Sequence, residues 1–94
     1  MKFRVEILDA VKDDFSRLSA FLGESAAGDR FVDVLEDAVS SLAEMPHRGR
    51  PLVGDVRELI IPFGRNGYVI RYRVSGQTVL VARVFHSLED RPLA

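Results

Sequence analysis

Phe3, Val5 and Ile7 alternate with Arg4 and Glu6, the period-two pattern of a half-buried strand. The period then lengthens. Val11, Phe15, Leu18 and Leu22 recur at helical spacing with Phe21 beside them, and Gly23 closes the segment. Asp9 is placed to cap this helix, with Lys12, Asp13 and Asp14 in its first turn, where acids suit the helix dipole. A second stripe runs through Phe31, Val34, Leu35, Ala38, Val39, Leu42 and Met45, with Asp29, Asp33, Glu36, Asp37 and Ser40 mostly off it. Ser25 is its candidate cap, and Gly28 loosens its first turn. Pro46 ends it at or before Met45, because the residue before proline avoids the helical region. The short linker between the two stripes implies an antiparallel helix pair.

The second half changes character. His47 to Asp55 reads as a loop rich in Pro, Gly and Arg. Val56 to Phe63 reads as a strand with Leu59, Ile61 and Phe63 on one face, and Pro62 marks it as an edge or a bulge. Gly64-Arg65-Asn66-Gly67 is a hairpin turn, with Asn-Gly its strongest local signal. In the next strand Tyr68, Ile70, Tyr72 and Val74 share one face, and Val69, Arg71 and Arg73 share the other. Ser75-Gly76-Gln77 turns the chain again. Val79 to Phe85 is almost wholly apolar, as in a central strand, and His86 ends it before a short polar tail. The order is strand, helix, helix, then three strands. Two helices cannot cover both faces of a small sheet, so the expected fold is α+β: a two-layer sandwich with a helix hairpin on one face of a small antiparallel sheet. Counting a reversal at every connection sets the first strand antiparallel to the second and fourth, and the apolar fourth is its expected neighbour.

Composition narrows the class. Residues 1–94 make a single domain with one core. The apolar fraction, 47%, is too high for a disordered chain, and no apolar run is long enough to span a bilayer. Met1 to Glu6 does not read as a signal peptide, and there is no cysteine, so a cytoplasmic protein without a disulfide framework is expected. The charge is uneven. Residues 1–45 carry five basic side chains against ten acidic ones, whereas residues 46–94 carry eight arginines against four acids. Arginine's planar fork suits carboxylate or phosphate, so the second half favours an acidic or polyanionic partner, or else solvated strand faces.

The series Pro46-x-x-Gly49-Arg50-Pro51, Arg57-Glu58-Leu59, Ile61-Pro62-Phe63-Gly64-Arg65 and Tyr72-Arg73-Val74, closing on His86, resembles the ParE/RelE toxin superfamily of bacterial toxin–antitoxin modules. Ala10 opens the first helix, as in many members. The proline–glycine–arginine loop and the Arg-Glu-Leu segment resemble the ParE branch in particular. The resemblance implies a partner antitoxin of ParD type, with a DNA-binding part and a C-terminal segment that wraps the toxin. It further implies DNA gyrase as the target. RelE-like relatives instead cleave mRNA on the ribosome, so a ribosome-dependent mRNA interferase is the alternative.

A ribonuclease needs a base, an acid and cations around the phosphorane. His86, Glu89, Arg65, Arg71, Arg83 and Arg91 are the candidates. The chain departs from the nuclease pattern at Val69, where an arginine is usual in that branch, and at Ser87, where the histidine-bearing branch carries tyrosine. The loop offers no acid between His47 and Gly54. A binding inhibitor is therefore expected, with no catalytic residue, cofactor or metal: the two histidines lack ligand spacing. Arg50, Arg57, Arg65, Arg71, Arg73, Arg83, His86 and Arg91 are the candidate partner- or target-binding residues. Tyr68 and Tyr72 are expected in the core, and direct nucleic-acid binding is not expected.

Overall fold

The computed structural model describes residues 2–23 and 26–92. The elements run β1 (Arg4–Ile7), α1 (Asp9–Leu22), α2 (Ala26–Ser41), β2 (Arg50–Val53), β3 (Val56–Phe63), β4 (Asn66–Ser75) and β5 (Thr78–His86). The five strands form one sheet in the order β1-β5-β4-β3-β2, with both helices packed on it, so the two-layer α+β sandwich stands. Between the layers sit Phe31, Leu35 and Leu42 from α2, Val11 and Leu18 from α1, and Leu59, Ile61, Tyr68, Ile70, Tyr72, Val79, Val81 and Val84 from the sheet. The alternation of β3 and β4 places these faces as their sequences imply. No helix among the described residues is long and apolar enough to cross a membrane.

Four details differ from the sequence expectation. The supposed loop from His47 to Asp55 contains strand β2, which pairs antiparallel with β3 from Arg50↔Glu58 to Val53↔Val56. It is short and holds Pro51, so its alternation is too brief to read. It covers only the start of β3, and the segment from Leu59 through Pro62 to Phe63 keeps the edge position that the proline signalled.

β1 lies beside β5 as expected but runs parallel to it, with Val5↔Val79 and Ile7↔Val81 in register, so the sheet is mixed and not antiparallel. Not every connection reverses the chain. The Leu8 N–H donates to the Val81 carbonyl, Asp14 then meets Val84 and Arg17 meets Glu89, so α1 advances along the direction of β5. Only the α1–α2 and β2–β3 turns reverse the path before β3. α2 returns until the Ala43 carbonyl accepts the Phe3 N–H.

The helix ends also shift. Leu8, with φ −75° and ψ 154°, occupies the N-cap position of α1, leaving Asp9 in the first turn; the cap expected at Ser25 lies outside the described residues. α2 stops at Ser41, where the next amides bond three residues back in a tightening turn, and Met45 is exposed beyond it. Phe21 is exposed as well, near the C-terminal end of α1.

The hairpins β2–β3, β3–β4 and β4–β5 all turn through two residues: Gly54-Asp55, Gly64-Arg65 and Gly76-Gln77. Each glycine has φ near +60° and no other described residue type has positive φ, the combination of a type II′ turn. The Asn66-Gly67 pair is therefore not the turn. It begins β4, where a Cβ on Gly67 would lie 2.4 Å from the Ile61 carbonyl oxygen across the ladder.

Candidate functional site

Glu58 is the centre of the open face of the sheet, opposite the helices. Its side chain is 1% exposed. Arg71, its cross-strand partner, donates from Nε at 3.2 Å and from a terminal nitrogen at 2.8 Å. Arg91 donates from the tail at 3.3 Å and Arg50 from β2 at 3.4 Å. Arg71 also donates to the Pro92 carbonyl, which holds the tail across β4. The Phe85 ring lies under both Arg71 and Arg83, with guanidinium carbons 5.2 Å and 4.9 Å from its centroid. Burial pushes the Glu58 carboxyl up, but the guanidinium groups of Arg71, Arg91 and Arg50 outweigh it and hold it below its ordinary value.

A second cluster forms where β1 stops. Beyond Ile7 the outer edge of β5 would be bare, and the buried Asp14 takes that place. One carboxylate oxygen accepts the Val84 N–H at 2.8 Å, and the pair receives Arg83 bidentately at 2.9 Å on each oxygen. An Ala82 bulge in β5, opposite Arg71 and Tyr72, lies one residue before this fork. Arg17 reaches Asp14 at 3.3 Å and Glu89 at 2.7 Å. Glu89 in turn accepts the His86 N–H at 2.7 Å. Burial raises the Asp14 carboxyl, and the bonds from Arg83, Val84 and Arg17 more than reverse that and leave it lowered. Glu89 is lowered in the same balance, through the His86 N–H and Arg17.

The remaining candidates spread out. Arg57 donates to the His47 and Gly49 carbonyls and staples that loop to β3. Arg73 pairs with Asp55 at 2.9 Å, both half-exposed. Arg65 protrudes from the β3–β4 turn. His86 lies edge-on to Tyr68, with ring centroids 5.5 Å apart. The expected basic surface is thus not one patch. Arg50, Arg71 and Arg91 converge on Glu58, Arg83 is held by Asp14, and Arg57 serves the loop.

The sequence matches the family model described as the ParE toxin of the type II toxin–antitoxin system, parDE, over residues 5–91. The chain belongs to the ParE toxin family. It is similar to Toxin RelE1 of Caulobacter vibrioides, at 45% identity over 93 residues that cover 97% of this chain and 100% of that protein. Toxin RelE3 of the same organism is 37% identical over 89 residues, covering 93% and 97%. A solved structure titled as the chromosomal ParDE TA system from P. aeruginosa matches with a TM-score of 0.70 at 15% identity, covering 90% of this chain and 96% of that one. That likeness shows the shared fold.

In this ParE-family chain, sequence reasoning passed over Asp14 and undervalued Glu58. Both left a signal. Asp14 falls three residues after Val11 and four before Leu18, on the apolar stripe itself. Glu58 shares the face of Ile60, and its register partner is Arg71. Among the described residues no group of three or more His, Cys, Asp or Glu could hold a metal ion.

Proposed function

We infer that this ParE-family toxin acts by binding DNA gyrase, without chemistry of its own, and that a ParD-like antitoxin neutralises it. The observation that supports binding over catalysis is the state of the carboxylates. Asp14, Glu58 and Glu89 are all held as anions by arginines or backbone N–H groups, whereas a general acid or base works best with a pKa near the working pH. Of the arginines that would stabilise a phosphorane, Arg71, Arg83 and Arg91 are committed to those carboxylates, and only Arg65, exposed in the β3–β4 turn, is not. The alternative is a ribosome-dependent mRNA interferase; the relatives named RelE and the partly exposed His86 beside Tyr68 favour it.

Induced alone, the toxin should cause DNA breaks and filamentous cells, and the purified protein should inhibit gyrase supercoiling. His86→Ala should leave toxicity largely intact. An enzyme losing its general acid or base would slow by about 100- to 10,000-fold, whereas one peripheral contact carries little of a binding energy. Cleavage of ribosome-bound mRNA that vanishes in His86→Ala, with supercoiling untouched by wild type, would overturn the gyrase reading.

The exposed arginines supply contacts to an acidic antitoxin. Arg71 cannot report on them, because reversing its charge would disrupt the buried pair with Glu58. Arg73 can. Arg73→Glu should weaken the antitoxin complex by roughly two- to tenfold at low salt, and the gap should narrow as salt rises. Equal affinities for wild type and variant at every salt concentration would make Arg73 a merely solvated side chain.

A further inference from the structure

We propose that the groove between the second half of α1 and the end of β5 binds an apolar carboxylate carried by a partner protein, an acidic side chain beside a large apolar one. The groove has a volume of about 470 Å³ and is lined by Arg17, Leu18, Phe21, Tyr68, His86 and Leu88, among others. That volume lies within the range of ligand sites, about 300–1,000 Å³. Its rim is unusual. Phe21 is 86% exposed and Leu88 74%, and large apolar side chains gathered at one exposed place mark an interaction surface.

The polar groups define the ligand. The Tyr68 hydroxyl makes no hydrogen bond with any described residue. No fully buried side-chain nitrogen or oxygen lacks a partner, so its hydroxyl reaches solvent although the ring is buried. The Leu88 N–H donates to His86 Nδ1 at 3.1 Å. That bond requires Nδ1 to be unprotonated, so the neutral imidazole carries its proton on Nε2, which is unspent. Arg17 uses both terminal nitrogens on Asp14, Glu89 and the Val84 carbonyl and leaves its Nε–H free. The lining carboxylate is already engaged, because Glu89 accepts Arg17 on one oxygen and the His86 N–H on the other. The groove therefore offers three donors and asks for an acceptor. A carboxylate answers best, since charge-assisted bonds are about twice as strong as neutral ones. It meets no surplus negative charge: Arg17 and Arg83 balance Asp14 and Glu89. Leu18, Phe21 and Leu88 require the carboxylate to be attached to something apolar. A free small molecule would leave the outward faces of Phe21 and Leu88 uncovered, which favours a protein segment. This inference stands on the groove and not on the choice between gyrase and ribosome.

The test is a nuclear magnetic resonance titration of the purified full-length chain. Phenylacetate is the probe, with 2-phenylethylamine as the cationic control and phenylacetamide as the neutral one. Phenylacetate should shift the resonances of Tyr68, His86 and Phe21 saturably, phenylacetamide should bind more weakly, and the amine should not compete. A capped Leu-Glu-Phe peptide should displace phenylacetate. Tyr68→Phe should weaken phenylacetate about tenfold, the size of one bond to a charged acceptor, while thermal stability stays unchanged because the hydroxyl has no hydrogen-bond partner among the described residues. Equal binding of acid and amine, shifts centred elsewhere, or full affinity in Tyr68→Phe would overturn the site. Phenylacetate binding that the peptide cannot displace would overturn the protein partner.

Discussion

Replacing Glu58 with glutamine should cost about 3–5 kcal/mol of folding stability, the usual penalty for removing one member of a buried ion pair. The reason is what remains. Arg71 is 8% exposed and keeps its charge, but its one carboxylate partner among the described residues is gone. The mutual attraction of the pair matters less than this stranded guanidinium. Adding Arg71→Met should therefore recover part of the loss, so the double variant should be more stable than the sum of the two single changes. Urea unfolding of the three variants measures this. A single change within 0.5 kcal/mol of wild type would show that Glu58 is not a structural centre.

The same carboxylate sets the direction of the acid response. Glu58 is lowered in the folded state, so the unfolded chain binds the proton more readily. Its contribution is complete above the unfolded value, roughly pH 4.3, and is lost as pH falls through the lower folded value. Stability should fall with acid below about pH 4 in wild type. The slope should be shallower in Glu58→Gln but not flat, since Asp14 and Glu89 are lowered too.

Gly49→Ala should cost about 2–4 kcal/mol through overpacking and a lost hydrogen bond. The new Cβ would lie 2.6 Å from the Tyr72 hydroxyl oxygen, 2.8 Å from its ring and 2.9 Å from the Glu58 carbonyl oxygen. Tyr72 has no room to retreat, as it is fully buried between α2 and the sheet. The shift would also break the 2.8 Å bond from the Gly49 N–H to the Tyr72 hydroxyl. Tyr72→Phe removes that bond alone and should cost about 1 kcal/mol. Combining the two changes should cost less than their sum, because the phenylalanine lacks the oxygen that the methyl meets first. Thermal melts of the four proteins decide it, and strict additivity would place the damage elsewhere.

The proline–glycine–arginine series of the loop was legible as a family feature before its physical reason was. The structure supplies the reason for two of its members. Gly49 lets the backbone approach Tyr72, and Pro46, with no N–H to donate, ends the run of turns after α2 once Met45 has bonded back to Ser41. The reading of the arginines as one basic surface rested on residue type and charge count. It missed that Asp14, far away in sequence, holds Arg83 and that Glu58 holds Arg50, Arg71 and Arg91, so that four of them are tied into ion pairs.

What the sequence by itself determined is what short-range physics controls: the two helical stripes, the alternation of β3 and β4, the central character of β5, the edge marked by Pro62, and the family membership carried by the motif series. Each depends on periodicity or on the fixed φ of proline and the freedom of glycine within a few residues. The tertiary structure alone decided the rest. The direction of β1 depended on how far α1 advances along β5, β2 existed only because β3 offered it a ladder, and the roles of Arg50, Arg71, Arg83 and Arg91 depended on which carboxylate the fold placed beside them. Those are contacts between distant residues, and their free energy appears only when the chain has closed the loops that join them.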